Sequence, residues 1–206
     1  MTLKEQLFRY RQFLEEQTKS KELDKLYKDL NQQYNKEFNE YLKDVGIYPN
    51  NEDFSVEVES LNHKIEVISQ LRILYTHLTY EKNRNLLIQI IKSADSSINF
   101  ELTELLKWKN FKKVMSAKGI TLDKIKGFKS INEIRICSNY IKHSQLELET
   151  KEDDFFKISE FSKHSSKRGY PFLYIPTEYI DEFYQRTKYA GYIFLSNLCD
   201  EIEKVY

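Results

Sequence analysis

The chain has 206 residues, 40% of them hydrophobic and 14% aromatic, and its 32 basic and 32 acidic side chains give a formal net charge of +0. This balance excludes a chain-wide positive field that would draw the protein onto nucleic acid or an anionic membrane, and the apolar content excludes a fully disordered chain. Only 5 Gly and 3 Pro are present, so the composition favours long helices over a multi-stranded sheet.

Residues 1–46 are predicted to form a long N-terminal helical arm. Apolar side chains recur along this segment at three- and four-residue steps, which is the period of one helix face. The pattern predicts one long helix or two. Gly46 is a helix stop, and the following Tyr48-Pro49 is typical of a turn. We therefore expect a boundary here, with a helical bundle domain over residues 53–206.

The middle of the chain shows the helical pattern three more times. The apolar faces run from Val58 to Leu78, from Leu86 to Ala94, and from Phe100 to Met115, with a stop near Gly119. Residues 121–127 predict at most a short connecting helix. Ser130 followed by Glu133 fits a capping box, in which a serine hydroxyl and a glutamate three residues later satisfy free backbone N–H groups. This box predicts a helix over about residues 131–145.

The last quarter differs in texture. An acidic stretch covers residues 147–154, and a polar, basic loop is expected over 162–169. The segment 172–175, enclosed by prolines, predicts the one strand. Thr177 is expected to cap a single last helix. The sequence thus predicts an all-α protein, an up-and-down multi-helix bundle with a long N-terminal arm and a small irregular or β insertion near 150–176.

The cysteines and the hydropathy pattern bear on compartment and cofactors. Cys137 and Cys199 lie far apart and match no zinc or redox spacing, which predicts reduced, packed thiols. His63 and His77 have no ligand-spaced partners, so we expect no metal and no cofactor. No apolar run approaches the roughly 20 residues that span a bilayer. The expectation is a cytoplasmic protein with no membrane association.

A polar stripe on the helix predicted over 131–145 is the candidate catalytic site. Arg135, Asn139 and His143 fall within roughly 80° of one another over about 12 Å of helix. Arginine can grip a phosphate with two N–H groups, and histidine can move protons near neutral pH. Stabilising the charge of a phosphorane and moving protons at the 2′-hydroxyl and 5′-oxygen are what metal-free RNA cleavage requires.

The segment Ser138-Asn139-Tyr140-Ile141-Lys142-His143, within a helix of a helical bundle, resembles the short motif of HEPN-family proteins. In that family an arginine, usually followed by a polar residue, precedes a histidine by five to seven positions on one helix. Asn139 matches the polar position and His143 the histidine. The arginine position is Ser138 in this chain, and Arg135 lies one turn upstream, eight residues from His143.

The resemblance implies a function. Many HEPN-family members are dimeric, metal-independent endoribonucleases of toxin–antitoxin, abortive-infection and other anti-phage systems. By this likeness Arg135 would contact phosphate, His143 would be the acid–base group, and Asn139 would position the scissile linkage. The same likeness implies an RNA substrate, a homodimer and a protein partner such as an antitoxin. It is also compatible with a degenerate relative of the family that has no activity.

Two basic segments and one alternative function complete the prediction. Lys163, Lys167 and Arg168 lie in the predicted loop and are candidate nucleic-acid contacts. The segment 107–113 interleaves lysines with aromatics, although its apolar positions also fit a packed helix face.

The polar stripe of Arg135, Asn139 and His143 also fits a solvated helix face. In that case the long N-terminal helix and the tyrosine-rich last helix would form a non-enzymatic protein–protein interaction or oligomerisation module.

Overall fold

The computed structural model describes residues 2–17, 21–45, 56–143, 157–165 and 177–206. These ranges are helical apart from short connections and contain no strand, which confirms the all-α class. The helices are α1 Leu3–Gln17, α2 Lys21–Val45, α3 Val56–Ala94, α4 Leu102–Leu105, α5 Trp108–Ala117, α6 Phe128–His143, α7 Ser159–Ser165, α8 Thr177–Thr187 and α9 Ala190–Val205, with a 3-10 turn at Leu122–Lys124. The predicted strand at 172–175 and the acidic stretch at 147–154 lie outside the described residues.

Helix α3 is the centre of the bundle. Its 39 residues extend about 58 Å, and α1, α2, α6, α8 and α9 all pack against it. The sequence pattern predicted two helices here, the first reaching Leu78 and the second starting at Leu86, and this was wrong. No Gly or Pro occurs between them, so nothing interrupts the backbone hydrogen bonds. The polar interval includes Asn83 and Arg84, which are buried.

Two segments predicted as single helices are each divided by a short turn. Lys107 adopts an extended backbone with ψ of 127° and separates α4 from α5. Tyr189, with φ −101° and ψ 3°, follows Lys188 between α8 and α9. The second turn lets α8 pack against α7 while α9 packs against α1 and α6. Residues 159–165 are helical as α7, where a loop starting at 162 was expected.

Helix α6, which carries the predicted polar stripe, begins three residues before the expected position. Gly127 has a φ of +93°, a conformation that side chains beyond glycine rarely adopt. Its carbonyl accepts the N–H of Ile131 at 3.0 Å and so starts the helix. A Cβ atom at Gly127 would lie 2.8 Å from the backbone nitrogen of Phe194. The glycine therefore turns the chain and lets α6 approach α9 closely.

The core lies where α3, α5, α6 and α9 meet. Phe194 and Leu198 of α9 are fully buried, as their places on the apolar stripe predicted. The ring of Phe194 lies 6.0 to 6.4 Å from the rings of Tyr80, Trp108 and Phe128. Both cysteines are free and buried, and burial raises the pKa of Cys199 to about 12. Within the described ranges, no helix is long and apolar enough to cross a membrane.

The N-terminal segment forms two helices. Helix α1 contributes Leu7, Tyr10 and Leu14 to the same core. Helix α2 lies along α3. The buried guanidinium of Arg72 binds both α2 and α8, and we call this guanidinium and the residues around it the Arg72 clasp. Arg72 of α3 binds Asp24 of α2 at 3.0 Å and Asp181 of α8 at 2.8 Å. Its guanidinium carbon lies 4.1 Å from the Tyr27 ring centre and 3.8 Å from that of Tyr184. The division into an arm and a bundle domain stays a prediction.

Candidate functional site

The predicted stripe lies along α6. Arg135 is exposed, and its Nη2 donates a hydrogen bond to Oδ1 of Asn132 at 3.0 Å. Asn139 is half-buried, and His143 is the last residue of the helix; the structure does not describe the His143 side chain. One turn of helix separates each member from the next, so Arg135 and Asn139 are placed on a common face.

Ser138, which occupies the arginine position of the family motif, is fully buried. It therefore belongs to the packed side of α6, while Arg135 lies on the exposed side. Lys142 is exposed and lies seven residues after Arg135, which places the two cations about 10 Å apart along one edge of the helix. This edge of α6 thus carries two positive charges, Arg135 and Lys142, whereas the predicted stripe included only Arg135.

The part of α3 that lies against α6 is also polar. His77, Glu81 and Arg84 recur at four- and three-residue steps, so they share one face of α3. His77 and Arg84 are buried. We call this region the α3–α6 seam, and it comprises His77, Tyr80, Glu81 and Arg84 of α3 with Arg135, Ser138, Asn139 and Lys142 of α6.

Three cations from two helices lie in the surroundings of His77. Burial is the main cause that lowers the pKa of His77 from 6.5 to about 4, and the charges of Lys142, Arg135 and Arg84 lower it further. A nearby positive charge disfavours the protonated imidazole, so both helices act on the same side chain. His77 is therefore neutral at pH 7 with three cations around it.

Glu81 partly balances these cations. Its Oε2 lies 2.8 Å from Nη2 of Arg84, and its Oε1 lies 3.9 Å from Nε2 of His77. Burial raises the pKa of Glu81, although Arg84, Lys142 and Arg135 act in the opposite direction. One carboxylate therefore stands against three cations, and the seam retains excess positive charge.

Buried polar atoms without hydrogen bonds concentrate in the seam. Within the described part of the chain, six buried side-chain nitrogen or oxygen atoms have no hydrogen-bond partner, and five belong to the seam. They are both ring nitrogens of His77, the hydroxyls of Tyr80 and Ser138, and Nε of Arg84. Burial raises the pKa of the Tyr80 hydroxyl and the neighbouring Arg84 opposes this rise, but the two groups form no well-aligned hydrogen bond. Such atoms are typical of sites that bind water or a ligand.

Sequence reasoning found one side of this seam and missed the other. His77 and Lys142 were not assigned a role, because His77 has no ligand-spaced partner in the sequence. A usable signal was present: three polar residues at four- and three-residue steps interrupt an otherwise apolar helix face. Of the predicted RNA contacts, Lys163 lies in α7 with its side chain undescribed, and Lys167 and Arg168 lie outside the described residues.

The described residues contain no group of three or more His, Cys, Asp or Glu side chains that could hold a metal ion. Comparisons with protein-family models, with curated proteins and with solved structures found no match. The geometry of the α3–α6 seam is therefore the basis on which a function can be proposed.

Proposed function

We propose that this protein is a HEPN-like, metal-independent endoribonuclease, or a degenerate relative, that acts on RNA at the α3–α6 seam. The observation that carries the proposal is the cluster of buried polar atoms without hydrogen-bond partners among the described residues, on His77, Tyr80, Arg84 and Ser138, with the cations Arg135 and Lys142 on the helix that packs against α3. The same potential that disfavours a proton on His77 favours a phosphate oxygen nearby. Phosphate is the anionic group of every RNA linkage, so RNA fits the charge of the seam.

The chemistry follows from the groups along α6. A base takes the proton of the 2′-hydroxyl, the 2′-oxygen attacks phosphorus, and the 5′-oxygen leaves with a proton from an acid. Arg135 would contact the phosphate and stabilise the additional charge of the phosphorane. Asn139 would position the linkage, and His143 would transfer protons. Lys142 adds a second cation along the same edge.

A homodimer belongs to the proposal. The reaction needs one group that accepts a proton and one that donates a proton, and α6 offers a single histidine. The α6 helix of a second subunit would supply another His143 and complete the pair. A toxin–antitoxin or phage-defence setting, with an antitoxin as the protein partner, is the biological role that the HEPN resemblance supports.

The test is RNA cleavage by the full chain in the presence of EDTA. We expect the wild-type protein to cut RNA without added metal and His143→Ala to abolish cutting. Arg135→Lys should reduce it strongly, since an ammonium cannot reproduce the two-point grip of a guanidinium. The matched control is His63→Ala, which removes an exposed histidine from α3. All variants should first be shown to retain the wild-type melting temperature.

A second candidate function is supported by one observation on α3. Val67, Leu71, Tyr75 and Leu78 lie at three- and four-residue steps and are 39 to 57% exposed. An exposed apolar stripe of this kind is typical of a surface that binds another protein. A folded wild-type protein that cuts no RNA of any sequence or structure would retire the nuclease proposal and favour a helical interaction module.

A further inference from the structure

A strongly basic segment precedes and enters α6. Residues 106–132 contain eight lysines and a single acidic residue, Asp123. Because the whole chain has a formal net charge of +0, the rest of the molecule carries seven more acidic than basic side chains. The neutral total therefore hides a marked separation of charge along the chain.

The fold places the helix and the turn that carry most of these lysines next to each other. The 3-10 turn packs against both α5 and α6. Nζ of Lys112 on α5 binds Asp123 of the turn at 2.7 and 3.0 Å, which joins the exposed face of α5 to the turn. Lys109 and Lys113 lie three residues before and one residue after Lys112, on the same exposed face of α5, so this face and the turn are neighbours.

Four of the lysines are left without an acidic partner among the described residues. The other four each have one: Lys107 pairs with Glu104, Lys112 with Asp123, Lys118 with Asp95 and Lys129 with Glu133. The exposed and unpaired ones, which we call the basic surface, are Lys109 and Lys113 of α5, Lys124 of the 3-10 turn and Lys126 just after it. Within the part of the chain that the structure describes, no carboxylate forms an ion pair with these four side chains, so their charges are available to an anionic ligand.

Arg84 of the α3–α6 seam contacts the start of α5, the helix that carries Lys109 and Lys113. Nη2 of Arg84 donates to the carbonyl of Leu106 at 2.9 Å, immediately before α5. The Arg84 guanidinium carbon also lies 5.5 Å from the ring centre of Trp108, the first residue of α5. The ring of Trp108 stacks on Phe128, the first residue of α6, at 6.1 Å. One side chain therefore belongs to the seam and touches the helix that carries half of the basic surface.

We propose that the basic surface binds the phosphate backbone of the RNA that the seam cleaves; this inference rests on the proposed function. The aromatic side chains between the lysines do not offer a stacking or membrane-inserting face, because Phe111 is buried and Trp108 packs on Phe128 and Phe194. The basic surface therefore binds RNA through charge alone. Binding there is sequence-independent and weakens as salt rises.

The experiment measures RNA binding separately from cleavage. The four lysines of the basic surface are changed to glutamine together, in the full chain that also carries His143→Ala. Binding of a fluorescein-labelled single-stranded oligouridylate is followed by anisotropy over a range of salt concentrations. The matched control changes four exposed lysines of α1, α2 and α3 to glutamine, namely Lys4, Lys25, Lys28 and Lys64.

Loss of four phosphate contacts should make the dependence of log Kd on log salt less steep by about 3, and should weaken binding about a hundredfold near 0.15 M salt. The control should bind as the parent does. In the background with His143 intact, the four glutamines should raise KM for RNA while kcat stays near the parent value, since the basic surface holds RNA away from the reacting atoms.

The outcomes separate the two proposals. Cleavage by the wild-type protein that is unaffected by the four glutamines overturns the basic surface and leaves the nuclease standing. RNA binding that the four glutamines abolish, with no cleavage by the wild-type protein, supports the surface and retires the nuclease. Binding to anionic phospholipid vesicles with none to RNA overturns the inference.

Discussion

At the scale of single residues, the charge of His77 near neutral pH depends on its surroundings. It is 7% exposed, and burial together with the charges of Lys142, Arg135 and Arg84 lowers its pKa to about 4. Glu81 lies 3.9 Å from its Nε2, but the positive charges outweigh this carboxylate. The imidazole therefore stays neutral in the folded protein across the range in which a free histidine becomes charged.

His77 should make the folded protein sensitive to acid. Below pH 6.5 the unfolded chain binds a proton at His77, whereas the folded protein does so only near pH 4. The unfolded state thus binds more protons in this window, and the free energy of unfolding falls as the pH falls through it. His77→Gln should remove up to about 3 kcal/mol of this pH dependence. Denaturant titrations at several pH values between these limits measure it.

The control for this prediction is His63→Gln, on the same helix. The His63 side chain is 76% exposed, so its removal should leave the pH dependence of stability unchanged. Parallel stability profiles for wild type and His77→Gln would show that no pKa shift of this kind exists. Because Glu81 is present in both proteins, its own titration cancels in the comparison.

The seam also shows how far residue-level prediction can reach. Arg135, Asn139 and His143 could be placed along one helix from spacing alone, because the 3.6-residue period fixes which side chains share a face. The approach of His77 could not be predicted, since it depends on which turn of α3 packs against which turn of α6. That register is set by contacts between residues far apart in the chain, and the spacing of residues along one helix does not reveal it.

At the scale of the element, the start of α6 depends on Gly127. Its φ is +93°, and an added Cβ would lie 2.8 Å from the backbone nitrogen of Phe194. Gly119 has a similar φ of +84° but has no atom within 4 Å of the same position. Both glycines have a positive φ that would strain any other residue, but they differ in the space available for a Cβ atom. They therefore form a matched pair.

Gly119→Ala should cost about 1–2 kcal/mol, which is the penalty of a side chain in the left-handed region. Gly127→Ala should cost at least about 1 kcal/mol more, because the backbone of α9 must also move. Chemical denaturation of both variants measures the difference. Equal losses would mean that α6 and α9 separate without cost at this point.

Element prediction succeeded where the apolar period was regular and failed at interruptions. The helical class, the core positions Phe194 and Leu198, and the buried cysteines followed from composition and spacing. The single helix α3 was predicted as two, because a polar interval with Asn83 and Arg84 resembles a loop in sequence. Its polar groups have tertiary partners: the carbonyl of Asn83 accepts from the Tyr10 hydroxyl, and Arg84 donates to the carbonyl of Leu106. The turn at Lys188 and Tyr189 was missed because neither residue is a strong helix breaker.

At the scale of the whole molecule, the Arg72 clasp connects α2, α3 and α8. Arg72→Met should leave Asp24 and Asp181 without their cation and the two tyrosine rings without the group between them. Since these carboxylates are 38% and 29% exposed, water can solvate them. We expect a loss toward the lower end of the roughly 3–5 kcal/mol that follows from breaking a buried ion pair.

Hydrogen exchange should show where this loss occurs. Amides of α2 should exchange faster in Arg72→Met than in wild type, while those of α9 change less, because α9 is held in the core by the packing of Phe194 on Tyr80, Trp108 and Phe128. Lys36→Met, which removes an exposed pair with Glu40 at 4.0 Å, should cost less than about 1 kcal/mol. Uniform acceleration across all helices would instead indicate that α2 unfolds only together with the rest of the protein.

Trp108 is the one tryptophan of the chain, and its position gives the molecule a built-in optical reporter. The indole ring stacks on Phe128, lies 6.4 Å from Phe194, and has the Arg84 guanidinium over its face. Its fluorescence emission therefore comes from a single place, where α3, α5, α6 and α9 meet. A shift in its wavelength or lifetime reports on that junction alone, with no label attached and no other indole to subtract.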